Sequence, residues 1–277
     1  MAEESIYKSN HMKSIAEKCG IIILLKLLFL VIEAMIKLKI DCNNFGEIII
    51  LLFSGIGLFT ACKIFLKIDY SDLFEGLKPQ KNNCIKNMQT GLLYIVIGGA
   101  LVTALNQLSV MIHSGTGETV DYFLKILEGA NISETTPIVD IVMYVSFFIL
   151  AAAMEEIFFR YTFYKAFVVK DSDKILFLVI SSLIFGLFHI ASILRFITTT
   201  VLGFSFGITY IKTQQWIYPF IIHFLWNILV LWMPYYAIAS MKDMPVKVFI
   251  TGGATVILSV LLLLISIVHY FRAKRAD

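Results

Sequence analysis

The stretch FFILAAAMEEIFFRYTFY, residues 147–164, decides how this chain is read. An apolar run from Phe147 to Met154 meets Glu155 and Glu156. Arg160 follows, and then apolar residues resume. A charge at the centre of a membrane-spanning helix costs about 2.5–3.5 kcal/mol on insertion scales. Three charges within two turns therefore need a structural or a chemical reason.

The surroundings are as apolar as the stretch itself. Of 277 residues, 58% are hydrophobic and 16% charged, with a mean hydropathy of +0.83. A soluble domain is nearer to about 45–50% apolar and about 25% charged. Repeated apolar runs of this kind mark spanning helices. The expected fold is an all-α, polytopic bundle of about eight transmembrane helices, near 20–38, 46–66, 91–112, 138–164, 174–192, 195–211, 216–233 and 247–270. A polar segment, 1–19, is expected to precede a single transmembrane domain, 20–271, whose motif-bearing core is 138–233. No polar stretch is long enough to build a second, water-soluble core. The first apolar run lacks a small-residue cleavage site and reads as a retained span.

The net charge of +3 is spread over helix ends and gives no basic patch, which argues against a nucleic-acid partner. Cys19, Cys42, Cys62 and Cys84 are far apart and form no CxxC pair, so neither a zinc knuckle nor a disulfide framework is expected. With the N-terminus inside, inner segments carry fifteen Lys and Arg against six in outer ones. That bias predicts both termini cytoplasmic; a bacterial cell membrane is the expected location of this multi-pass chain, because no C-terminal retention signal is seen. Gly203 and Gly207 share a helix face, a spacing that lets two helices approach closely. Lys26 and Glu33 lie two turns apart in the first span, and Lys37 is four residues beyond Glu33. A structural ion pair among them is the expectation.

The remaining ionisable residues form a constellation. Glu156 and Arg160 are spaced i, i+4 and can pair on one face. Glu155 is rotated by about 100° and has no partner on its own helix, which makes it a candidate general base. Asp171 and Asp173 sit in the following turn. Glu155 and His189 are each sixteen residues from that turn, on its two sides. In an antiparallel hairpin that equality brings them to one depth. Phe185 lies one turn before His189. In the seventh span His223 and Asn227 again share a face at i, i+4. Glu, His, His and Asn on three neighbouring spans point to a site.

These motifs, EExxxR (Glu155, Glu156, Arg160), FxxxH (Phe185, His189) and HxxxN (His223, Asn227), resemble those of the CAAX-processing and bacteriocin-processing (CPBP, or Abi) family of intramembrane proteases. They occur in order over residues 155–227, about a quarter of the chain. The resemblance implies that Glu155 and His189 activate a water, and that His223 and Asn227 stabilise the oxyanion. It implies that Glu156, Arg160 and Phe185 shape the site. The implied partners are a peptide or membrane-protein substrate and the lipid bilayer, and the implied reaction needs no cofactor.

Three alternatives stand beside that reading. One is a zinc protease with Glu155, His189 and His223 as ligands, although no HExxH is present. Another is a catalytically silent immunity or peptide-binding protein using the same cavity. The third is a proton-coupled transporter, against which the lack of internal repeats counts.

Overall fold

The computed structural model describes residues 2–39, 44–75, 84–113 and 138–228. All regular structure among them is helical. The elements are α1 (Ala2–Lys39), α2 (Asn44–Leu66), α3 (Cys84–His113), α4 (Ile138–Glu156), a π-helical turn (Ile157–Thr162), α5 (Phe163–Phe167), α6 (Asp173–Phe188), α7 (Ile193–Thr213) and α8 (Ile217–Ile228). Among the described residues, five stretches are long and apolar enough to cross a membrane: Lys13–Leu38, Phe45–Leu66, Cys84–Val102, Val142–Phe167 and Ile193–Thr213. The protein is a polytopic helical membrane bundle. The expected eighth span at 247–270, and the end of the seventh beyond 228, lie outside the described residues.

The polar first residues continue as helix into the first span, α1 running unbroken from Ala2 to Lys39. Leu24, Leu28, Val31, Met35 and Leu38 are exposed along α1. In a spanning helix such a face is solvated by lipid, so its exposure needs no further account. The expected Lys26–Glu33–Lys37 ion pairing is not formed. Lys37 reaches Glu47 of α2 instead, at 3.7 Å. Lys26 turns towards the ring of Phe158. The cross-helix acid is nearer to the Lys37 ammonium than the acid one turn back on its own helix.

Helix α7 is the centre of the motif-bearing half and packs against both α3 and α6. Small residues make that possible. A Cβ on Gly203 would lie 3.0 Å from the Ser182 Cα and 3.2 Å from the Ser182 carbonyl oxygen, so α6 and α7 touch backbone to backbone there. Helix α1 packs on α2, and α2 on α4. Lys18 at the start of the first span donates to the Ala166 carbonyl at 3.0 Å, tying α1 to the end of α5.

Two local features position the site. First, the chain from Ile138 to Phe167 is one rod interrupted by the π turn, where the Phe163 N–H reaches back five residues to the Phe158 carbonyl. Phe158, Phe159, Arg160, Tyr161 and Thr162 are all buried, so the rod is enclosed on every side at this level. The segment after α2 clamps it. Tyr161 donates to the Asp69 carbonyl at 3.1 Å and to the Asp72 carboxylate, Lys165 bonds Asp72 at 2.8 Å, and Tyr70 and Thr162 hydroxyls meet at 3.0 Å. Trp216, just before α8, donates to the Leu73 carbonyl at 2.9 Å.

Second, α6 is shorter than the span expected at 174–192. It ends at Phe188, with the His189 N–H bonded to the Gly186 carbonyl. Ser192 then caps α7 by accepting from the Arg195 N–H at 3.1 Å. Sixteen helical residues rise about 24 Å, short of an apolar layer of about 30 Å. Helix α6 alone is therefore too short to cross such a layer. The other end of α6 carries Lys170, Asp171 and Asp173.

Candidate active site

The site forms where the α4–π junction, the end of α6, and α8 converge. Glu156 and Arg160 are both fully buried, and the Arg160 Nε lies 3.2 Å from a Glu156 carboxylate oxygen. Arg160 also donates from one terminal nitrogen to the Gly203 carbonyl at 3.0 Å. Its guanidinium faces the rings of Phe185, Phe206 and Phe159, at 4.7, 5.3 and 5.9 Å from their centroids. Such faces attract a desolvated cation. Thus one carboxylate, one backbone carbonyl and three aromatic faces hold a charge that would otherwise be prohibitive in this setting.

The second Glu156 oxygen is 2.8 Å from His223 Nδ1. A carboxylate accepts, so His223 donates from Nδ1 and points Nε2 into the site. His223 is also stacked on Phe206, with ring centroids 4.6 Å apart. His189 is oriented in the same way from the other side. Its Nδ1 donates to the Phe185 carbonyl at 2.8 Å, which leaves Nε2 facing inward.

Glu155 stands between the two imidazoles. One of its oxygens is 3.6 Å from His189 Nε2 and 3.8 Å from His223 Nε2. The equal distances from the turn predict the first meeting, and the structure adds the second. Glu155 is therefore without a partner only on its own helix. Its side chain and that of His189 are each 26% exposed, whereas Glu156 and Arg160 are sealed. The cluster thus has a closed half that holds its shape and an open half that faces a cavity.

The structure brings Glu155, Glu156, Arg160, Phe185, His189 and His223 together. Asn227 is carried one turn beyond His223 on α8, half-buried, and makes no hydrogen bond to the others among the described residues. No group of three His, Cys, Asp or Glu side chains among the described residues is arranged to hold a metal ion. Sequence reasoning misses two features. The π turn directly after Glu156 leaves no trace in hydropathy, although π turns recur at functional sites. Lys26 of α1 lines the same cavity as Glu155, and nothing in its local spacing links it to residue 155.

An apolar helical bundle enclosing two carboxylates, two imidazoles and a guanidinium defines a membrane protein with a buried ionisable site. Compared with known families, residues 137–229, about a third of the chain, match the model of the Rce1-like family, described as type II CAAX prenyl endopeptidases. The match begins at α4 and ends with α8, so α1 to α3 lie outside it. No curated protein and no solved structure matches the chain.

Proposed function

We propose that this protein is an intramembrane endopeptidase that hydrolyses a peptide bond with a water activated by Glu155 and His189, without a metal ion. The observation that carries the reading is the convergence of the Glu155 oxygen with two inward-facing Nε2 atoms, at 3.6 and 3.8 Å. With Nδ1 committed to the Phe185 carbonyl, a neutral His189 presents a bare, accepting Nε2. The Glu155 carboxylate is also an acceptor. Two acceptors side by side orient a water by its two hydrogens and turn its lone pairs towards a peptide carbonyl. Glu155 takes one proton as the water attacks and returns it to the departing amine.

The oxyanion needs donors. His223 can donate from Nε2 only when it carries a second proton, because Nδ1 is already bonded to Glu156. Glu156 is the group that compensates the resulting imidazolium, while Arg160 holds Glu156 in place. Asn227, on the same helix, is the second donor, reached once a substrate occupies the site. The family's printed description suggests a prenylated CAAX peptide as substrate.

The decisive experiment is Glu155→Gln in purified protein, assayed on prenylated and unprenylated CAAX peptides. It keeps volume and shape and removes basicity. The expected result is a folded protein that binds peptide and does not cleave it. An active Glu155→Gln, or activity lost on chelation and restored by stoichiometric zinc, overturns the mechanism. In the second case Glu155, His189 and His223 become candidate metal ligands.

A further inference from the structure

Lys26 stands within the first membrane span, outside the segment that matches the protease family. Among the described residues it forms no ion pair; its ammonium lies 5.8 Å from the centre of the Phe158 ring. A cation is costly at this depth, and aromatic contact alone compensates little of the cost. Lys26 shares with Glu33, Ser54 and Glu155 the wall of a cavity of about 40 Å³ between α1, α2 and α4. That is space for about three waters. Lys26 lines it from α1 and Glu155 from α4, with Phe158, the ring beside the ammonium, on the same wall.

The charges around the site show what is missing without it. Glu155 and Glu156 contribute two negative charges, and Arg160 one positive. In the resting site, before His223 takes the second proton that oxyanion donation requires, His189 and His223 are neutral and add none. The centre is then left with an uncompensated negative charge on Glu155, the one of the two motif carboxylates that lines the cavity. Lys26 is the cation that balances it. Glu33 is the competing acid on the same wall, two turns further along α1, about 10 Å along the axis. Lys37, the next cation on α1, is engaged by Glu47.

We infer that Lys26 is a positioning residue of the active site, the intramembrane counter-charge to Glu155, so that α1 is part of the catalytic centre. Its catalytic consequence rests on the peptidase reading above, but the charge coupling itself does not. The test is a double-mutant cycle on thermal melting in detergent, with Lys26→Met, Glu155→Gln, Glu33→Gln and the two doubles containing Lys26→Met. The expected result is a lower melting point for Lys26→Met that recovers in Lys26→Met/Glu155→Gln and not in Lys26→Met/Glu33→Gln. Additive effects, or recovery with Glu33→Gln alone, overturn the inference and make Lys26 a partner of Glu33.

Turnover supplies the second readout. Lys26→Met should lower kcat about ten- to a hundredfold, part of the roughly 10²–10⁴ a general base contributes, with little change in KM. Lys26→Arg should restore most of the rate. A Lys26→Met protein that turns over normally also overturns the inference. An unmodified protein that cleaves no peptide strikes the peptidase reading alone, and the melting cycle then decides the coupling.

Discussion

Replacing Glu156 by Gln tests the closed half of the site. The change preserves shape but leaves the fully buried Arg160 with no opposite charge at 3.2 Å. Breaking one side of a buried pair costs about 3–5 kcal/mol. A Coulomb check agrees: two charges about 4 Å apart interact by about 4 kcal/mol at an effective dielectric of about 20. Arg160 keeps its bond to the Gly203 carbonyl and the faces of Phe185 and Phe206, which moves the expectation to the lower end, about 3 kcal/mol. At about 2–4 °C per kcal/mol for a chain of this size, the melting temperature in detergent should fall by about 6–12 °C. Cleavage should fall too, because His223 loses the anion on Nδ1. Adding Arg160→Met should recover most of the melting temperature, since an apolar side chain replaces an orphaned charge, but not the activity. A Glu156→Gln protein that melts within about 2 °C of the unmodified one, less than 1 kcal/mol, refutes the reasoning. So does a double variant that melts no higher than the single.

Other outcomes follow from the same geometry. Asn227→Ala should lower kcat by about 10²–10³, the usual cost of one oxyanion donor, with KM little changed; steady-state kinetics check this, and lost binding with normal turnover would reassign Asn227 to substrate positioning. Gly203→Val should destabilise by about 1–3 kcal/mol, because its side chain meets the Ser182 backbone where α6 and α7 touch. Gly20→Val, where an added Cβ meets nothing within 4 Å, is the control in the same melting assay. A single cysteine placed at position 121 should label from the outer side and one near either terminus from the cytoplasmic side; labelling of position 121 from the cytoplasmic side only would reverse the orientation drawn from the Lys and Arg bias.

Much of the site was legible because it depends on distances along the chain. Equal spacing from the 171–173 turn places Glu155 beside His189, and i, i+4 spacing pairs Glu156 with Arg160. Both hold within 4 Å. The approach of Glu155 to His223 was not legible, because it depends on how α8 is rotated against the rod, and Phe206 and Glu156 set that rotation from other helices. The surroundings of Lys26 are hidden from the sequence for the same reason. Local spacing favours Glu33, while packing turns the lysine to Phe158. The length of α6 was overestimated because Ile190 and Ala191 continue the apolar run although the backbone turns at His189. Hydropathy records what a residue dissolves in and says nothing of where the helix ends.

The π turn at Ile157–Thr162 has a consequence for how sequences of this kind vary. Such a turn holds one residue more than an α-helical turn would, so it is equivalent to a single-residue insertion within the rod. Deleting one residue after Arg160, at Tyr161 or Thr162, would leave the EExxxR letters, the apolar length and the charge count intact. It would also let the rod relax into a plain α-helix, swinging Glu155 and Glu156 by about 100° relative to α5. The two carboxylates would then leave His189 and His223, and the clamp would lose either the Tyr161 bonds to Asp69 and Asp72 or the Thr162 bond to Tyr70. A chain with every motif letter in place can thus lack the site altogether, and only the phase of one helix tells the two apart.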